Sequence, residues 1–305
     1  MAGTADSGRG SPVTPGTVFT WASVSKTITA TALMQLFDQN LFALDDDISK
    51  YLGFDVRVPA CPQEPITVRH LLTHTSGIRD SKIYKSLYVE GDSPVGLGEF
   101  VHGYLTVTGR YFHRRNFRKC CPGTVYDYSN IGAGVVGRLV EVISGVPFDR
   151  QVADAVCAPL GMVDTSFRLA DLDRSILALP GGDGPPQGFP TFPDGTLRSP
   201  PRELAKFLIA YMQGSYRGRK VLKRKTVTMM LRNQSRVTSG QGLMWYTKKI
   251  AGTRMWGHDG DDPGISSAMF FDPRTAIGVL LVANGEWRHG ARRTMRKLVH
   301  YARSH

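Results

Sequence analysis

A helix-forming run extends over Val24 to Asn40, and over Ile131 to Ser144 the apolar residues recur at helical spacing, with Gly145 placed to end the helix. A β-branched and aromatic run, Val18 to Trp21, leads into the first of these without a break. Shorter helices are predicted at Ile48 to Leu52, behind the acids Asp45 to Asp47, and at Val68 to Thr73, with Thr67 as N-cap. Val152 to Leu160, Arg202 to Met212 and Thr226 to Leu231 follow the same logic. Tyr104 to Gly123 is irregular and basic, and Leu179 to Pro201 carries enough Gly and Pro to read as a long loop of the lid-forming or site-bordering kind.

The pattern changes beyond Gly240. Strands are predicted at Arg254 to Trp256, Ile265 to Phe271 and Ala276 to Ala283, with Asp272-Pro273-Arg274 connecting the last two. An amphipathic helix, Ala291 to Arg303, closes the chain. Ala276 to Ala283 is the longest apolar run, far short of the roughly 20 residues a spanning helix needs, and reads as a buried strand. The order is a short extended start, a long helical middle and a strand-rich end.

With 305 residues, 41% of them hydrophobic, the chain can bury a large core as one big domain or two intimate ones. Met1 to Gly16 is small, polar and Gly/Pro-rich and lacks the apolar stretch of a secretory signal, so the expected location is cytoplasmic. Cys61, Cys120, Cys121 and Cys157 have no metal-ligand spacing, and free thiols are expected. The formal charge of +12 gathers at His113 to Lys119, Arg217 to Lys225 and Arg288 to Arg303. No nucleic-acid recognition motif accompanies it, so a solvated surface is expected and nucleic acid is not an expected partner.

Ser23 and Lys26 lie one helical turn apart on the same face, in the pattern S-x-x-K. A serine hydroxyl is a poor nucleophile unless a base takes its proton. A lysine can do so only where burial or nearby positive charge brings its pKa below the usual ~10.4. Alone the motif is weak, because an ordinary helix cap explains it and Ser25 competes for that role. Two later stretches change its weight: Tyr128-Ser129-Asn130, just ahead of the Ile131 helix, and Trp256-Gly257-His258-Asp259-Gly260, at the start of the strand-rich end.

S-x-x-K, then Y-x-N about a hundred residues on, then H-x-G on a late strand resembles the serine β-lactamase and penicillin-binding-protein family, in its class C β-lactamase and family VIII carboxylesterase branch. Leu71 to Gly77, Asp194 to Ser199 and Phe271-Asp272-Pro273 look like the same family's framework, and His74 within them reads as a buried hydrogen-bonding residue and not a base. The resemblance implies an α/β (α+β) fold of the β-lactamase/DD-peptidase type: an antiparallel sheet flanked by helices, plus a large, mostly helical region. It also implies a sheet domain from residues 1–58 and 236–305 and a helical domain from 59–235, with the active site between them. Implied catalytic residues are Ser23, Lys26 and Tyr128, the last two sharing the proton relay. Asn130, His258, Gly260 and Asp261 would bind substrate, and the backbone N–H groups of Ser23 and Asp261 would form an oxyanion hole.

His258 stands where β-lactamases and transpeptidases of that family usually place a lysine. A histidine is largely neutral at pH 7, which weakens recognition of a substrate carboxylate and favours esters or amides without one. Relatives also carry a helix and two strands ahead of S-x-x-K that Met1 to Gly16 cannot supply, so a reduced sheet with an exposed edge, or a truncated N-terminus, is expected. Asp261 and Asp262 replace residues that are often glycine.

The function expected is hydrolysis of a small ester through a covalent acyl-enzyme. The alternatives are a D-amino-acid peptidase, β-lactamase or acyltransferase using the same serine, and a catalytically silent binding protein. No G-x-S-x-G elbow, phosphate loop or zinc signature occurs, and His258, Asp259, Asp261 and Asp262 crowd one strand end too tightly to share an ion, so neither cofactor nor metal is expected.

Overall fold

Trp245 and the β-branched, aromatic residues after it fold into a four-stranded antiparallel meander in the computed structural model, which describes residues 2–287 and 290–304. The strands are β1 (Tyr246–Ile250), β2 (Thr253–Asp262), β3 (Ile265–Asp272) and β4 (Ile277–Ala283), side by side in that order. β2 runs well past Trp256, where the sequence pattern stops. Its tail of Gly, His and Asp has low strand propensity, and the ladder to β3, from Trp256 opposite Phe271 to Asp262 opposite Ile265, holds it extended. β1 escapes the pattern because it is an outer strand with polar Thr247, Lys248 and Lys249 at its centre, and the exposed Lys249 helps protect that edge from pairing. Ala276 belongs to the turn and not to β4: its φ is 55° and its N–H donates to Asp272 O at 3.1 Å.

Long helices build an apolar core on one face of this sheet and cover the other. The helices α1 (Ser25–Asp38), α2 (Asn130–Ser144) and α3 (Pro201–Gln213) share one apolar core with Trp245 and Phe271. Helix α4 (Gly290–Ser304) covers the opposite face, where Met295 and Val299 meet Met255, Phe270 and Val279. Arg288, the first residue of the third basic cluster, lies outside the described residues. Gly145 ends α2 with φ 73°, in the left-handed region that glycine adopts without cost. Thr67 caps Val68–Leu72 in a reciprocal pair with His70. The stretch predicted as one helix, Val152 to Leu160, is instead interrupted by a π turn over Ala153–Cys157. Leu97–Leu105 is a helix that the sequence reading missed.

Near the N-terminus, Thr4–Asp6 pairs with Ser11–Pro12, and Ala5 packs with Phe19 and Ala178 against Val282 of β4. The long segment 179–201 is no lid. Phe189, Phe192, Leu197 and Arg198 are buried, and Arg198–Ser199 pairs with Phe19–Thr20.

The cysteines depart from expectation. Cys61 and Cys121 form a disulfide with a Cα–Cα distance of 5.3 Å, while Cys120 and Cys157 are free. Sequence spacing could not show the pairing, because the fold supplies it: Gly123 N–H donates to Thr75 O at 2.7 Å and Arg118 N–H to Gly77 O at 2.7 Å, which brings residues 118–123 against the loop that carries Val58. Closing 60 residues restricts the unfolded chain and should stabilise the fold by about 2–4 kcal/mol. Cys61→Ser is therefore expected to lower the thermal midpoint by several degrees under non-reducing conditions. Equal midpoints for the variant and the parent protein would contradict the bridge.

Candidate active site

Ser23 occupies a tight 3-10 turn, Ala22–Val24, that runs directly into α1. Ala22 sits at φ 44°, an unfavourable conformation for a residue with a Cβ, and the surroundings hold it there. Trp21 is pinned twice to the 197–199 segment, its N–H donating to Leu197 O at 2.8 Å and its indole N–H to Ser199 O at 2.9 Å. Ser25 is not the helix cap: its hydroxyl accepts from Leu197 N–H at 3.1 Å, and α1 has no side-chain cap. Ser23 is thus presented at the helix start by a fixed backbone while remaining partly exposed.

Lys26, on the next turn, is wholly buried. Its ammonium donates to Ser23 Oγ at 3.0 Å, Asn130 Oδ1 at 2.7 Å and Asp194 O at 2.7 Å, which uses all three of its protons. Tyr128 Oη donates to Ser23 Oγ at 2.8 Å. The Tyr128 ring is held between two imidazoles, with centroids 4.5 Å from His74 and 6.1 Å from His258. His74 Nδ1 accepts from Ser129 N–H at 3.2 Å, and burial keeps this histidine neutral, which fits a packing role.

The electrostatics differ from the sequence expectation at Lys26. Burial works to lower its pKa, but Tyr128 and the carboxylates of Asp194 and Asp80 outweigh that and hold it above the ordinary value. Lys26 is an ammonium, not a free base. Burial raises the Tyr128 phenol, with Lys26 opposing, so the resting pair is ammonium and phenol. His258 is 3% exposed and its Nδ1–H donates to Asp259 O at 2.5 Å. Burial first, then the charge of Lys26, depresses it to about 4, so no fixed positive charge stands there at pH 7.

Gly260 lies against the nucleophile's backbone. A Cβ at this position would stand 2.7 Å from Ser23 N and 2.8 Å from Trp21 O, so only glycine lets β2 approach this closely. Asp261 follows it, exposed, on the rim of a cleft of about 1510 Å³ that also reaches Asn130, Tyr84 and Tyr88.

Two carboxylates were not singled out from the sequence, although both lie in or next to the framework stretches. Asp80 accepts from Asn130 N–H at 3.0 Å, Ile131 N–H at 3.0 Å, Asn130 Nδ2 at 2.8 Å and Ser129 Oγ at 3.2 Å. It caps α2 and turns the Asn130 amide so that Oδ1 faces Lys26. Asp194 is buried, its carboxylate accepting from Tyr84 Oη at 3.0 Å and Thr191 Oγ1 at 2.6 Å and lying 3.8 Å from Lys26 Nζ. Burial pushes it up to about 7 against the pull of Lys26. Because the Asp194 charge holds Lys26 protonated, Asp194→Asn is expected to move the alkaline limb of kcat/KM to lower pH and to remove any inflection near 7. Superimposable pH profiles for the two proteins would refute this coupling.

A nucleophile at a helix start, an ammonium and a phenol on its oxygen, and a glycine-bearing strand along its backbone, within a helix-flanked antiparallel sheet, define a serine hydrolase of the β-lactamase and penicillin-binding-protein type. The chain belongs to the Beta-lactamase family, whose model matches residues 1–303. Penicillin-binding protein 4 of Amycolatopsis lactamdurans is 28% identical over 304 residues, covering 91% of this chain and 75% of that one. Esterase EstB of Burkholderia gladioli is 31% identical over 199 residues, covering 61% of this chain, which spans 47% of the esterase's length. Among solved structures, the octameric penicillin-binding protein homologue from Pyrococcus abyssi superposes with a TM-score of 0.74 at 25% identity, over 99% of this chain and 68% of that one. D-amino acid amidase from Ochrobactrum anthropi SV3 does so with 0.77 at 24% identity, over 99% and 88%, a likeness of fold.

Proposed function

We propose that this protein hydrolyses small carboxylic esters through an acyl-enzyme on Ser23, and that its substrates need no carboxylate. The observation that carries this reading is the buried, neutral His258 packed against Tyr128, at the position from which a lysine would offer a substrate carboxylate its charge. The esterase relative is in keeping with it.

The geometry favours Tyr128 over Lys26 as the proton carrier. All three Lys26 protons are engaged, so the lysine has no lone pair to offer. With substrate bound the Tyr128 O–H turns from Ser23 Oγ to the leaving oxygen. As Ser23 Oγ bonds to the carbonyl carbon its proton passes to Tyr128 Oη while the phenolic proton passes to the departing alkoxide, one shuttle in which Tyr128 never holds two protons. The phenol is neutral before and after, and Lys26 stabilises the negative charge between Ser23 and Tyr128 while it develops. The carbonyl oxygen takes N–H donors from Ser23 and Asp261, worth roughly 3 kcal/mol per donor. Water then attacks the acyl-enzyme by the reverse transfers, releasing the acid.

Incubation with a short-chain aryl ester and, separately, with a fluorescent penicillin tests the reading. Expected is Ser23-dependent ester turnover without penicillin labelling. Penicillin labelling with slow ester turnover would reverse the argument from His258.

A further inference from the structure

We propose that Asp262 and Tyr88 form a subsite for a protonated amine, making esters or amides whose acyl group carries an ammonium near the reacting carbonyl the preferred substrates. This rests on the hydrolase reading above and narrows it.

Side chains alternate along β2, so His258, Gly260 and Asp262 share the face that meets Ser23, whereas Asp259 is turned to the other face, where it pairs with Lys248 and Tyr246. Gly260 touches the backbone of Ser23, and two residues of extended strand carry Asp262 about 7 Å further along that wall. That is the reach of a carboxylate toward a substituent close to a carbonyl bound at Ser23. Asp262 is half-buried, lines the cleft and lies within the field of Lys26.

Tyr88 faces it. Its ring packs on Phe189 with centroids 4.6 Å apart, its hydroxyl donates to Tyr84 Oη at 3.3 Å, and it interacts electrostatically with Asp262. A carboxylate beside an aromatic ring of fixed position is a good receptor for an ammonium ion. Burial raises Asp262 to about 6, which leaves it largely ionised at pH 7.5.

Two cations act on Asp262, the buried Lys26, whose three protons are already taken, and Lys85. Lys248 is committed to Asp259, while Lys85, Lys249 and Arg296 are exposed at the rim, where solvent screens them. With His258 neutral and Lys26 bound to its own three acceptors, Asp262 is the charge that a substituent lying beyond Gly260 would meet, and it attracts an amine.

The test compares alanine methyl ester of either hand with N-acetylalanine methyl ester, following kcat/KM at pH 7.5 in the parent protein, Asp262→Asn and Asp262→Glu. Expected is at least a tenfold preference for the free amine of one or both hands, lost in Asp262→Asn and partly kept in Asp262→Glu. The same esters are titrated by calorimetry into Ser23→Ala, with and without Asp262→Asn, so that the subsite is read without turnover. A parent protein without the preference, or one whose preference survives Asp262→Asn, overturns the subsite while leaving the hydrolase reading intact. Absent Ser23-dependent turnover, with amine binding to Ser23→Ala that depends on Asp262, would sink the hydrolase reading and keep the subsite.

Discussion

Ser23→Ala is expected to lower turnover of an aryl ester by about 10⁴-fold or more, with no covalent adduct left on the protein. The size follows from the site's construction. Lys26 Nζ and Tyr128 Oη both converge on Ser23 Oγ, at 3.0 and 2.8 Å, and no other hydroxyl shares that position among the described contacts. Removing the oxygen leaves the oxyanion donors and the cleft but nothing to acylate. The substitution should be structurally mild, because Trp21 fixes the turn through its backbone and indole bonds, not through the serine side chain. An unchanged thermal midpoint alongside lost activity separates a chemical role from a folding defect. Residual turnover near the parent rate would place the reaction elsewhere.

Tyr128→Phe is the second large effect, with an expected loss of about 10² to 10⁴ in the acylation rate and little change in KM. The phenylalanine ring keeps its packing between His74 and His258, so the site's shape survives. What goes is the one group that can accept the Ser23 proton while Lys26 remains an ammonium. If Lys26 were the base, Tyr128→Phe would cost far less, and activity would follow Lys26 alone. Single-turnover kinetics with a chromogenic ester distinguish these outcomes, since the loss must fall on acylation.

Much of this arrangement was legible in the residues. Ser23, Lys26, Tyr128 and Asn130 carry motif spacing that a fold of this kind brings together, and the structure places them within hydrogen-bond reach. Helices α1, α2 and α3 fall within two residues of their predicted bounds: in α2 and α3 the apolar spacing reports which face is buried, whereas α1 is buried nearly all round and is marked by its helix-forming residues. The tail of β2 was not legible, since its extension comes from pairing with β3 and its own residues favour turns. Asp80 and Asp194 were hidden for a related reason: a carboxylate becomes informative only once its distant partners are known, 50 residues away for Asp80 to Asn130 and 168 for Lys26 to Asp194. The charge state of Lys26 depended on those acids, so its role could not be read from S-x-x-K alone. The Cys61–Cys121 bridge likewise follows from the packing of two loops on residues 75–77.

The central claim is that Ser23 becomes acylated. The most direct measurement is intact-mass and peptide-mass spectrometry of protein quenched in acid within milliseconds to seconds of mixing with an aryl ester. The predicted result is a mass increase equal to one acyl group, mapped to the peptide bearing Ser23, decaying as ester is consumed and absent in Ser23→Ala. An ester that turns over with no adduct on that peptide, or with the adduct on another residue, would contradict it.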